Sequence, residues 1–214
     1  GGGTINQPTG KNKDQKDAYE IMKEKGYTIV RTKEEILALD KKSEKVYAVT
    51  PVVQDSGAMP YAIDNKEGDL TLADFVKKGI DVLDNKKGFF MMAESGKIDW
   101  AGHANDAKAN IEDLLDFEEA IQVAIDFAKK HPDDTLIIVT GDHETGGMTI
   151  GQATTNYDTA FHILESQKMS YVAFDELINN MKKANPAMTF ADVMPVITEN
   201  FGLVNNTTGD IRRS

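Results

Sequence analysis

The chain has 214 residues, of which 40% are hydrophobic and 28% charged, enough for one sizeable core and about one and a half domains by the usual length relation. Acidic residues (35) outnumber basic ones (24), and the net charge of -11 opposes binding to nucleic acid or to an anionic membrane. There is no cysteine, so disulfides and thiolate metal sites are excluded and any metal must be held by carboxylate and imidazole.

The predicted elements follow in chain order. Gly1–Gly3 has neither a charged nor an apolar leader region and reads as a turn in the middle of a longer chain. Loop continues to residue 13. Lys13–Lys25 carries Ala18, Ile21 and Met22 at helical spacing, with Gly26 as the stop. Tyr27–Val30 is a short strand. Thr32 caps a helix through Leu39, with Glu35 at the capping-box position. Val46–Val49 is a second strand, ended by Pro51, and a loop runs to about Asp69. Thr71 with Asp74 caps a helix through Leu83. Gly88–Ala93 is a continuous apolar run of strand length, as suits a strand buried on both faces.

A long helix is expected over Asp106–Lys130, with an apolar stripe that includes Ile111, Leu114, Leu115, Ala120, Ile125 and Phe127. Pro132 ends it, and Leu136–Thr140 is again an apolar strand. This alternation implies an α/β layered fold with a mostly parallel sheet. After Gly151 the pattern turns helical, over Tyr171–Lys183 and Thr189–Asn200. Pro195 should distort or shorten the second of these. Residues 205–209 read as loop. No apolar run approaches the roughly 20 residues of a membrane helix.

Chemistry concentrates at the ends of the two apolar strands. Gly88–Ala93 leads into Glu94-Ser95-Gly96-Lys97-Ile98-Asp99-Trp100-Ala101-Gly102-His103. Leu136–Thr140 leads into Gly141-Asp142-His143-Glu144-Thr145-Gly146-Gly147. The carboxyl edge of an open α/β sheet is where ligands bind. Side by side, these strands would bring Glu94, Asp99, His103, Asp142 and His143 together. Asp99 and His103 are four apart, so one helical turn puts both on one face. Asp142 and His143 are adjacent and can share a metal only where the backbone turns, which Gly141, Gly146 and Gly147 permit. Imidazole with carboxylate suits zinc, and a carboxylate such as Glu94 also suits magnesium. A single Asp or His at a strand end is more often a helix cap or a solvated loop residue. Five at two strand ends, in a chain with only 4 His, point to metal.

Both strings resemble the alkaline phosphatase family, the first over Gly88–Ala107 and the second over Thr135–Gly147. Met59-Pro60-Tyr61 and Gly1–Gly3 fit the family order, and the resemblance covers residues 1 to about 151. Trp100 departs from the best-known bacterial pattern and leaves the ligand positions intact. The resemblance implies a partial α/β/α sandwich over residues 1–151, with residues 152–214 a mostly helical insertion. Carried over by position, Glu94 would be a magnesium ligand, Asp99 and His103 would bind one zinc, and Asp142 and His143 the other. The full enzyme would hydrolyse phosphate monoesters through a phospho-enzyme with two zinc ions and one magnesium ion. The resemblance implies a periplasmic or secreted location and allows a homodimer.

The family's serine nucleophile and phosphate-binding Arg are expected N-terminal to Gly1, and a further zinc-binding His C-terminal to the matched part. A catalytic zinc takes about three protein ligands, and each would have two here. Weak or absent metal binding and no turnover are therefore expected of the fragment alone. Asp55-Ser56-Gly57-Ala58 tempts as a substitute nucleophile motif but reads as a turn. His131 suits a helix end, and His162 reads as structural. Rival readings are another metallohydrolase of the same superfamily (a phosphodiesterase, a sulfatase or a phosphoglycerate mutase) or a non-catalytic scaffold that keeps the ligands.

Overall fold

Side-chain caps set where the helices begin. The computed structural model describes residues 1–3, 13–149, 159 and 161–205. Helix α1 spans Ala18–Glu24; it starts late in the expected stretch because Asp17 accepts from the Tyr19 amide and caps it there. Helix α2, Lys33–Leu37, has the predicted capping box: Thr32 accepts from the Glu35 amide, and Glu35 accepts from the Thr32 amide. Thr71 and Asp74 do the same for α3, Leu72–Leu83.

Strands β1 (Thr28–Val30) and β2 (Val46–Ala48) pair in parallel, with Thr28 opposite Val46 and Val30 opposite Ala48. Their connection runs through α2, as a parallel pair requires. Val30, Ile36, Leu39 and Leu70 form the core between this sheet and α3, with Val46, Ala48 and Phe75 packed against it. The architecture is thus a partial α/β fold with a small parallel sheet. Gly1–Gly3, expected in a turn, instead lies along the chain beyond β2. The Thr50 amide donates to the Gly1 carbonyl, and Gly3 donates to the Gly57 carbonyl.

Helices α4 (Gly96–Ala104) and α5 (Ala107–Lys130) are nearly continuous, broken by Asn105 in the left-handed conformation. The buried face of α5 carries Ala109, Asp113 and Ala120. The expected stripe is therefore too wide: Leu114, Leu115 and Ile125 are exposed, and Asp113 takes an inward position. Beyond a 3-10 turn at Phe161–Ser166 come α6 (Tyr171–Ala184) and α7 (Phe190–Phe201). Helix α7 runs through Pro195, losing one backbone bond on an exposed turn near Ala191. The expected boundary at 151–152 lies outside the described residues, as does most of the expected 205–209 loop.

Two carboxylates, buried Asp106 and half-buried Asp64, anchor the start of α6. Asp106 caps α5 through the Ala109 amide, and it also accepts from the Tyr171 amide and from Gln167 Nε2. Two helix N-termini, each with unpaired amides and a partial positive charge, thereby share one carboxylate. Asp64 accepts from the amide and hydroxyl of Ser170, which is fully buried. A second cluster of Tyr61, Ala101 and Ala109 is closed by Ile63, Tyr171 and Val172.

The segments Gly88–Ala93 and Leu136–Thr140 correct the sequence reading. They carry no β-ladder among the described residues, and one face of each is open. Phe89 packs on Phe127 of α5, with ring centroids 5.7 Å apart, and Met91 packs at Gly79 of α3. In the first segment alternate residues face solvent, with Phe90 88% exposed and Met92 79%, a strand's period of two; in the second, Leu136, Ile138 and Val139 are all exposed. A strand is buried on both faces only when neighbours flank it and helices cover each side. Among the described residues β1 and β2 pair only with each other, and α3 and α5 pack on one side of Gly88–Ala93.

Leu136→Gln with Ile138→Thr should therefore change unfolding stability by within about 0.5 kcal/mol and reduce binding of a hydrophobic dye. Ile36→Ala, in the closed core, should cost about 2–5 kcal/mol in urea unfolding.

Candidate metal centre

Helix α4 has two faces with opposite tasks. Lys97 and Ala101, four apart, turn inward; Asp99 and His103, also four apart, turn outward. The outward pair has the expected proximity, with His103 Nε2 3.5 Å from Asp99 Oδ2.

The turn carrying Asp142 and His143 docks directly on α4. A Cβ built on Gly102 would lie 2.7 Å from the Thr145 carbonyl oxygen, and one built on Gly146 would lie 2.4 Å from the Gly102 carbonyl oxygen. Only two hydrogen side chains allow this approach, and Gly146 also has a positive φ of 84°. The turn is closed by the Gly147 amide donating to Glu144 Oε2, 3.1 Å. Asp142 Oδ1 accepts from the His143 amide, and Asp142 Oδ2 lies 3.7 Å from His143 Nε2. Between the two donor pairs stands Thr145. Its hydroxyl donates to Asp99 Oδ1 at 2.6 Å and lies 3.1 Å from His143 Nδ1. The Glu144 carbonyl, foremost, and then the Asp142 carboxylate hold the His143 imidazole above its ordinary pKa.

Thus the structure brings Asp99 to His103, Asp142 to His143, and Asp99 to His143 through one hydroxyl. Glu94 stands apart, exposed just ahead of α4. The expected convergence of five groups is not found: among the described residues no three His, Cys, Asp or Glu side chains are placed to share a metal ion. The reason is the missing ladder, since the two segments that would lie side by side carry no backbone pairing that brings Glu94 in. The donor chemistry still fits the expected cations. Imidazole with carboxylate matches zinc, and the Glu94 carboxylate matches magnesium.

The sequence reading missed the charged cluster beneath α4. Lys97 is 7% exposed; its Nζ lies 3.2 Å from Asp55 Oδ2 and sits over the rings of Tyr61 (3.9 Å) and Trp100 (4.5 Å). Burial lowers the lysine pKa, and Asp55 works against that. Asp55 and Ser56 lie in a tight turn with positive φ, bridged from Gln54 to Ala58. This bears out the turn reading of Asp55-Ser56-Gly57-Ala58 and gives Asp55 a partner. Burial also pushes Asp113 up to about 7. The available signal was the spacing itself, since Lys97 stands two residues before Asp99 and so on the other side of the same helix. His131, the C-cap of α5, bears out the helix-end reading and lies on Phe127, with ring centroids 4.4 Å apart. No helix among the described residues is long and apolar enough to cross a membrane.

The family model for alkaline phosphatase matches residues 3–199. Alkaline phosphatase 4 of Bacillus subtilis is 40% identical over 141 residues, 65% of this chain and 29% of that protein. The repressible alkaline phosphatase of Saccharomyces cerevisiae is 36% identical over 108 residues, 46% of this chain and 19% of that one. Among solved structures, a cold-active alkaline phosphatase from a psychrophilic Shewanella superposes with a TM-score of 0.67 at 27% identity, over 94% of this chain and 46% of that one. A variant of the TAB5 alkaline phosphatase with Mg bound superposes with a TM-score of 0.53 at 34% identity, over 69% of this chain and 43% of that one. The chain thus spans less than half the length of these relatives.

Two outcomes follow from this geometry. Gly102→Ala should cost about 1–3 kcal/mol in denaturant unfolding, as an overpacked contact does; unchanged stability would mean that the two backbones do not touch. Asp113 has a folded pKa above its ordinary 3.8. Its contribution is fully present below that value and is lost as pH rises through about 7. Asp113→Asn should flatten this part of the pH–stability profile and stabilise the chain above neutrality, as urea titrations across that range would read.

Proposed function

The chain belongs to the alkaline phosphatase family, and from that membership we propose that it supplies the metal-donor segments of a phosphomonoester hydrolase. In this reading Asp99 and His103 hold one zinc, Asp142 and His143 the other, and Glu94 a magnesium ion. The observation that carries it is the docking of the two donor pairs against each other, across the Gly102–Gly146 contact and through the Thr145 hydroxyl. Nothing about a helix cap or a solvated loop calls for two Asp–His pairs to meet in this way.

When bound, paired zinc ions stabilise the attacking and leaving oxygens of an in-line phosphoryl displacement, and in this family the reading includes a phospho-enzyme. The chain's own residues orient the donors. The backbone of α4 sets the spacing of Asp99 and His103, the glycine turn presents Asp142 with His143, and buried Lys97 fixes the face that α4 shows outward. A periplasmic or secreted location is part of the same proposal, by family resemblance.

Each proposed zinc has two donors in this chain, against about three in a catalytic site. The 214-residue chain is therefore expected to bind zinc weakly or not at all and to show no turnover of p-nitrophenyl phosphate with added zinc and magnesium. Hydrolysis above the blank that disappears in Asp99→Ala would overturn the inactivity. A polypeptide of full family length carrying these segments should hydrolyse the same ester in a zinc-dependent way, with losses of several orders of magnitude in Asp99→Ala or Asp142→Ala. Full activity in both variants would sink the metal assignment.

A further inference from the structure

We propose that Thr145 is a positioning residue: it sets the tautomer of His143 and locks that imidazole to the Asp99 carboxylate. The proposal rests on the reading of Asp99 and His143 as metal donors, and it comes from counting protons around one hydroxyl.

Asp99 Oδ1 is a carboxylate oxygen and can only accept, so at 2.6 Å the Thr145 hydroxyl must donate to it. A hydroxyl has one hydrogen. With that hydrogen given to Asp99, Thr145 Oγ1 can only accept from His143 Nδ1, 3.1 Å away. The second neighbour of Nδ1 is the Glu144 carbonyl oxygen, also at 3.1 Å, and a carbonyl too can only accept. Both neighbours therefore require a hydrogen on Nδ1. Neutral His143 is held as the Nδ1–H tautomer, which leaves its Nε2 lone pair free beside Asp142 Oδ2, 3.7 Å away.

The chain of donation runs from His143 Nδ1–H to Thr145 and on to Asp99, and so links one proposed metal pair to the other. This is the arrangement by which an outer hydrogen bond orients an imidazole ligand and exposes its other nitrogen. Thr145 is well placed for it. Its backbone is pinned against Gly102, and its branched Cβ restricts the side-chain torsion. Asp99, with Oδ1 engaged, keeps Oδ2 toward His103.

The test uses the 214-residue chain with nitrogen-15-labelled histidine, free of metal, in alkaline buffer where the imidazoles are neutral. Long-range proton–nitrogen correlation reads the tautomer directly. Wild-type His143 should favour Nδ1–H. Thr145→Val keeps the shape and removes the hydroxyl, and should lower the tautomer ratio about fivefold, the worth of one neutral hydrogen bond. Thr145→Ser should restore it. An unchanged ratio in the valine variant, with the fold intact by circular dichroism, would overturn the role of Thr145, as would failure of serine to rescue. Zinc added to a polypeptide of full family length, where the remaining donors complete each site, reads the metal assignment separately. It should shift Nε2 of His143 and leave His131 and His162 in place; a His143 that ignores zinc there removes the metal assignment instead.

Discussion

The candidate centre depends on a contact between two backbones, at Gly102 and Gly146, where no side chain intervenes. Helix α4 presents one donor pair and the following turn the other, from positions some forty residues apart in the chain. Neither segment is held to the other by a ladder of backbone bonds. Close approach and the Thr145 hydroxyl do that work. A methyl group at either glycine would meet the opposite backbone, so these two glycines set how closely the donor pairs approach.

Beneath that contact the same helix is fastened from the other side. A nearly buried ammonium is costly unless paired, and Lys97 is paired by Asp55 and flanked by two aromatic faces. Tyr61, under Lys97, is held by burial and by the Tyr171 hydroxyl, which keep its phenol above the ordinary range. Tyr171 opens α6, whose amide is tied to Asp106 at the start of α5. The helical segment after residue 166 is therefore not an independent appendage. It packs on the cluster that supports α4.

What was legible in the sequence is what short-range chemistry decides. Thr32 with Glu35 and Thr71 with Asp74 marked their helices because a cap is a local hydrogen bond. The parallel pair β1–β2 followed from two short apolar runs separated by a helix. The pairs Asp99–His103 and Asp142–His143 were visible because their spacing alone sets their geometry. What failed depended on distant partners. Composition marked Gly88–Ala93 and Leu136–Thr140 as buried strands, but burial requires neighbours, and Phe90 and Leu136 lack them on the outward face. Likewise α5 turned Asp113 inward, where it accepts from the Ala62 amide, and Leu114 outward, because that partner lies far off in the chain and no periodicity could announce it. Thr145 was overlooked for the opposite reason: it lies inside the recognised string, but a hydroxyl is not counted among metal donors.

The two-sided character of α4 has one more implication. Successive residues of a helix are about 100° apart, and α4 must aim Lys97 down and Asp99 up at once. Lys97 holds that rotational phase through Asp55 and two aromatic faces, and the short connector Glu94-Ser95 ahead of the first turn at Gly96 must deliver the chain in register with it. One residue more or fewer in Glu94-Ser95 would shift that register by about 100°, taking Lys97 off its pairing with Asp55 and Asp99 off its line to Thr145. The length of that two-residue connector thus carries as much information about the site as the identity of any donor in it.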